Sequence, residues 1–183
     1  MAKLIFAMNQ SLDGYVAAAD GALDPLPPPG EALFRHFVEF ERGLACVLYG
    51  RRIYDVMRYW DEDRPDWTAD EREFAAAWRA HPKWVVSRSA PPLGPNAALA
   101  EGDLEAFVRR LKSETAGVIG VAGPQLAGSL TKMGLIDEYH LYFRPVALGT
   151  GKPYFSQAPA HLRFMGADPI GEDTVRLRYG AAG

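Results

Sequence analysis

Leu44-Ala45-Cys46-Val47-Leu48 and Trp84-Val85-Val86 are almost unbroken apolar runs. A strand with one wet face alternates apolar and polar residues. A run without that alternation suits a strand covered on both faces, as in parallel sheets. These runs place strands over 44–49 and 83–87, and similar patterns predict others over 3–8, 117–121, 138–147, 161–167 and 173–179. The last one alternates: Val175, Leu177 and Tyr179 interleave with Arg176 and Arg178. That pattern fits an antiparallel strand with one face in water.

Four helices are predicted between the strands. Over 31–42, Leu33, Phe34, Phe37 and Val38 form one apolar face. Thr68, with Glu71 three residues on, has capping-box spacing, and Phe74 and Trp78 share the face that follows. Asp103 caps a third helix that turns Leu104, Phe107, Val108 and Leu111 inward. Pro124 opens a fourth, which stops near Gly134. Strand and helix alternate to about residue 136, and strands dominate after it. The expected fold is α/β in three layers: a mostly parallel central sheet, antiparallel C-terminal strands and helices on both faces.

The length, 183 residues, fits one domain and needs no disulfide or metal to hold its core. Twenty Lys and Arg stand against 23 Asp and Glu, so no global basic field favours nucleic acid, and any anion site must be local. The apolar N-terminus is interrupted by Asn9, Gln10 and Asp13, too soon for a membrane span. The single cysteine, Cys46, reads as a buried thiol rather than a nucleophile, and it suits a reducing cytoplasm. His36, His81, His140 and His161 lack metal-ligand spacing, so no metal is expected. There is no Gly-x-Ser-x-Gly elbow and no Walker sequence, and Gly117, Gly120 and Gly123 do not match the dinucleotide fingerprint.

Three strand ends remain as candidates. Gly50-Arg51-Arg52 follows strand 44–49; it is a phosphate site if a helix starts there, or else a solvated basic turn. Ser87-Arg88-Ser89 can hold a phosphate monoester, though such triplets are common on surfaces. Ala122-Gly123-Pro124-Gln125-Leu126 leads strand 117–121 into a helix whose first amides point at a ligand, or forms an ordinary turn. Ligands in open α/β sheets bind at the carboxyl ends of the strands, where all three lie.

Five stretches together resemble the dihydrofolate reductase superfamily, in its riboflavin-biosynthesis reductase branch. They are Ser11-Leu12-Asp13-Gly14-Tyr15-Val16-Ala17, Val47-Leu48-Tyr49-Gly50-Arg51-Arg52-Ile53-Tyr54, Val85-Val86-Ser87-Arg88, Val121-Ala122-Gly123-Pro124-Gln125-Leu126, and the tail from Gly134 to Gly151. The resemblance implies an NADPH site. Gly50, Arg51 and Arg52 would lie along the pyrophosphate and adenosine, Ser87 and Arg88 at the 2′-phosphate, and Ala122 to Leu126 around the pyrophosphate and nicotinamide. It also implies hydride transfer to a C=N or C=O bond of a small pteridine- or pyrimidine-like substrate. The alternative is a nucleotide-binding protein on the same scaffold without turnover.

Asp13 falls where the family brings substrate to the nicotinamide. It is the first candidate for orienting a substrate N–H, or for donating a proton if burial raises its pKa; Asp-Gly is also a common turn pair. Glu31 is the second candidate, as the nearest match to the acid that dihydrofolate reductases carry on the first helix, and is equally readable as a helix-dipole partner. The sequence departs from the family where Ala122-Gly123 replaces the usual Gly-Gly: the added methyl either narrows the cofactor groove or simply fits. The zinc deaminase that accompanies the riboflavin reductase needs a Cys pair, which these 183 residues do not hold. The family also implies a homodimer paired through the sheet region. Segment 138–147, with Tyr139, Leu141, Tyr142 and Phe143, is either that interface or a central strand of the core.

Overall fold

The structure, a computed structural model, describes residues 1–23, 25–157 and 161–182. Its strands are β1 (Lys3–Gln10), β2 (Tyr15–Ala17), β3 (Leu44–Gly50), β4 (Lys83–Val86), β5 (Ala97–Leu99), β6 (Val118–Ala122), β7 (Glu138–Phe143), β8 (Lys152–Pro153), β9 (Leu162–Ile170) and β10 (Thr174–Ala181). Its helices are α1 (Glu31–Arg42), α2 (Arg51–Met57), α3 (Ala69–Ala80), α4 (Leu104–Glu114) and α5 (Pro124–Lys132), with a 3-10 turn at Arg58–Trp60. Eight strands form one sheet in the order β5-β4-β3-β6-β1-β7-β10-β9. Pairing is parallel from β5 to β7, and β10 is antiparallel to both of its neighbours.

This is the expected three-layer α/β fold. Leu4, Phe6, Leu48, Ile119 and Val121 pack one face of the sheet against Phe107 and Val108 of α4 and Leu126 and Leu130 of α5. On the other face, Tyr142 packs with Leu33 of α1, while Val38 joins Phe74 and Trp78 of α3. Cys46 lies in the first of these cores, where burial pushes its thiol up to about 11, so it is a packing group.

The predicted caps are in place. Thr68 and Glu71 form a reciprocal capping box, and the Asp103 carboxylate accepts from the Ala106 amide at 2.9 Å. Differences from the prediction have local causes. β7 stops at Phe143 instead of reaching residue 147, because Pro145 has no N–H for the ladder. β7 is also central, between β1 and β10, with Tyr139, Leu141 and Tyr142 buried, so this strand builds the core. β9 runs past 167 and contains Pro169, which an edge strand tolerates. β2, β5 and β8, at two or three residues each, are too short to show a period. No helix among the described residues is long and apolar enough to cross a membrane.

Candidate active site

The register aligns three of the candidate segments at one edge of the sheet. Gly50 at the end of β3 pairs with Val86 of β4, and Tyr49 pairs with Ala122 of β6. Ser87 and Arg88 therefore leave β4 beside Arg51, and Gly123 leaves β6 beside Gly50. A Cβ on Gly123 would lie 3.2 Å from Ile53 Cγ2 and 3.7 Å from Gly50 Cα, so the two turns touch through bare backbone. Gly123 also has φ +107°, a conformation open mainly to glycine. It is followed by Pro124 at the first position of α5, with no side-chain cap. The first bond of that helix runs from the Ala127 amide to the Gly123 carbonyl, which leaves the Gln125 and Leu126 amides without a helical acceptor.

Two cavities open at this edge. A groove of about 150 Å³ is lined by Gly50, Arg52, Gly123, Pro124, Gln125 and Leu126, and by Lys152 of β8. A second, deeper cavity of about 380 Å³ lies between the sheet and α1. Phe34, Phe37 and Phe40 of α1 line it together with Trp60 and Phe74, and its polar residues include Asn9, Glu41 and Arg144. Met8, Val16, Leu23 and Ile53 belong to both, so the cavities share one wall.

Six of the predicted cofactor residues thus meet in the groove. Ala122 does not: it lines the deep cavity, so its methyl does not narrow the groove. Arg51 is tied to Asp55 at 2.7 Å, whereas Arg52 and Arg88 form no ion pair among the described residues. The Ser87 hydroxyl accepts from the Ser89 amide at 3.3 Å, beside the groove rather than in it.

The two predicted acids line neither cavity. Asp13 accepts from the Ser11 hydroxyl at 2.6 Å and from the Leu148 and Gly149 amides at 3.0 and 2.6 Å. These bonds favour the charged form, and the carboxyl lies low, at about 2, the opposite of what a proton donor requires. Asp13 therefore fastens the β1–β2 turn to the 146–151 loop. Glu31 is 73% exposed at its side chain, pairs with Arg35 at 2.9 Å and faces the positive end of α1.

The acid that does face the deep cavity is Glu41, which the sequence reading missed. Its Oε2 lies 2.7 Å from Nε2 of the buried His81. A carboxylate in the last turn of a helix opposes the dipole, and this breach of a local rule was the available signal. Arg144 gave a similar one, as a cation inside the predicted strand 138–147. It is 1% exposed and bonds the Pro27 and Pro28 carbonyls at 3.2 and 3.1 Å.

The sheet order and the paired cavities at this edge are those of a dihydrofolate reductase-like architecture. The RibD C-terminal domain family matches residues 2–176, and the chain belongs to it. It is 28% identical over 160 residues to the uncharacterized protein YyaP of Bacillus subtilis, covering 84% of this chain and 80% of that one. Its backbone follows a Shewanella sp. PV-4 structure assigned to riboflavin biosynthesis, with TM-score 0.74, 22% identity and full coverage of both chains. It follows a diaminohydroxyphosphoribosylaminopyrimidine deaminase/5-amino-6-(5-phosphoribosylamino)uracil reductase from Thermotoga maritima at TM-score 0.66 and 15% identity, covering 99% of this chain and 57% of that one. A dihydrofolate reductase from Enterococcus faecalis, solved with NADP(H), gives TM-score 0.63 at 11% identity, with 99% and 97% covered.

Proposed function

We propose that the chain is an NADPH-dependent reductase acting on a C=N or C=O bond of a small pteridine- or pyrimidine-like compound. One observation carries the reading: a groove with bare backbone and free amides shares a wall with an aromatic cavity. NADPH would supply the hydride. Gly50 and Gly123 let a pyrophosphate approach the backbone, and Arg52 with the Gln125 and Leu126 amides holds its charge. Ser87 and Arg88, one strand over, receive the 2′-phosphate. The aromatic wall excludes water, and the Glu41 carboxylate accepts from a substrate N–H, with His81 behind it. Asp13 acts from outside, by holding the turn that ends in β2.

The test is NADPH oxidation against a panel of pterins, aminopyrimidines and simple carbonyls. Oxidation with at least one ring compound is the expected result. NADPH binding with no oxidation by any of them would favour the nucleotide-binding protein without turnover, and no NADPH binding would overturn both readings.

The cytoplasm suits this reading, since the buried thiol of Cys46 needs no partner. We further propose a homodimer in which a second copy covers the outer strands, where Phe164, Met165 and Val175 are exposed. Light scattering should give twice the 20.1 kDa chain mass, and a value near 20.1 kDa across micromolar concentrations would refute pairing.

A further inference from the structure

Two residues that line the deep cavity each carry a buried polar atom with no hydrogen-bond partner among the described residues. Both terminal nitrogens of Arg144 are engaged: Nη1 donates to the Pro27 carbonyl, and Nη2 donates to Pro28 and reaches Asp173 at 3.5 Å. Its Nε is buried and unbonded. Asn9 lines the same cavity, and its Oδ1 is likewise buried and unbonded. Asn9 is the register partner of Tyr142, and Arg144 follows two residues beyond Tyr142, so the side chains share one face of the sheet. Native folds rarely keep a buried donor and a buried acceptor unsatisfied, and this pair stands on the wall of an open cavity.

The charge of the cavity narrows what can satisfy them. Phosphate sites gather several N–H donors and net positive charge. Among the described residues Arg144 is the only Lys or Arg lining this cavity, and one N–H of it is free. Glu41 stands in the same wall. The remaining surface is apolar and carries the rings of Phe34, Phe37, Phe40, Tyr49, Trp60 and Phe74, which suit a flat ring.

Resting on the reductase reading above, we propose that the deep cavity takes a planar, unphosphorylated heterocycle with a cyclic amide edge. The ring carbonyl accepts from Arg144 Nε, and the neighbouring ring N–H donates to Asn9 Oδ1. A ribose phosphate on the ring gains no counterion in this cavity and is repelled by Glu41. The substrate thus differs from the 5-phosphoribosylamino compound for which the Thermotoga maritima protein is named.

Calorimetric titration of the full chain, with and without NADPH, tests this. The probes are pterin, 5,6-diaminouracil and 5-amino-6-(5-phosphoribosylamino)uracil. At least one unphosphorylated ring should bind about tenfold or more tighter than the phosphoribosyl compound, for want of charge-assisted contacts. Asn9→Leu should lose about tenfold in ring affinity, while its melting temperature stays level or rises because an orphaned buried acceptor is gone. Arg144→Lys, which removes the Nε–H and keeps the charge, should lose a similar factor. Equal or tighter binding of the phosphoribosyl compound overturns the proposal. So does unchanged ring affinity in Asn9→Leu, or failure of both unphosphorylated rings to bind. Ring binding without NADPH oxidation would defeat the reductase reading alone; oxidation with only the phosphoribosyl compound would defeat this proposal alone.

Discussion

Replacing Gly123 by Ala tests the groove at its narrowest contact. The residue holds φ +107°, and an added methyl would sit 3.2 Å from Ile53 Cγ2 and 3.7 Å from Gly50 Cα. A non-glycine residue at such an angle costs about 1–3 kcal/mol. At about 2–4 °C per kcal/mol for a chain of this size, a cost of about 2 kcal/mol lowers the melting temperature by roughly 4–8 °C. The methyl also fills backbone that a pyrophosphate must approach. Loss of one charge-assisted hydrogen bond is worth about 1.5–3 kcal/mol, or about 10- to 100-fold in NADPH affinity. Gly134→Ala is the matched control: φ is +66° and nothing lies within 4 Å of its added Cβ. It should lose about 1–2 kcal/mol of stability and no NADPH affinity. Thermal melts and NADPH titrations on both variants decide the matter. If Gly123→Ala melts early yet binds NADPH as the wild type does, the pyrophosphate does not lie at this turn. If the two variants lose affinity equally, the effect is one of stability alone.

Arg88→Ala should lower NADPH affinity by about 1.5–3 kcal/mol and leave NADH affinity unchanged; equal wild-type affinity for the two cofactors would refute a 2′-phosphate site. Lys83 is buried over the Trp78 ring at 4.2 Å, and burial lowers its pKa from 10.5 to about 8. The folded state therefore binds fewer protons than the unfolded chain in that window, so stability should rise by roughly 3 kcal/mol from pH 8 to 10.5. Denaturant melts should show this rise flattened in Lys83→Met, and a variant that keeps the same slope would exclude Lys83 as its source. The Asp13 carboxyl lies at about 2 instead of 3.8, so its contribution is present above pH 3.8 and is lost as pH falls through about 2. Asp13→Asn should melt below wild type at neutral pH and converge with it in acid, without the roughly hundredfold loss of turnover that removal of a proton donor would bring.

The fold was legible because its signals are local. Unbroken apolar runs marked β3 and β4 as covered on both faces, Thr68 and Glu71 marked the start of α3, and Gly134 marked the end of α5. The groove was legible for a related reason: glycine and free amides at a strand end leave a mark within five residues, Ala122 to Leu126. The deep cavity is built from distant parts of the chain. Phe34 and Phe37 look the same in sequence whether they fill a core or line a hollow. Asn9 on β1, Glu41 on α1 and Arg144 just past β7 are far apart in sequence, and only the β1–β7 register and the packing of α1 bring them together. Asp13 misled because the Leu148 and Gly149 amides that occupy it come from a loop more than a hundred residues away.

The wall formed by Met8, Val16, Leu23 and Ile53 has a thermodynamic consequence. An occupant of either cavity would press on side chains that also bound the other, which would link the two binding equilibria. Linkage is reciprocal: the factor by which a groove ligand changes affinity in the deep cavity is the factor returned in the other direction. Met8 and Ile53 stand in that wall, where pressure from one occupant would reach the other. Substitution of either can therefore change the cooperativity between two ligands while leaving the polar contacts of each intact.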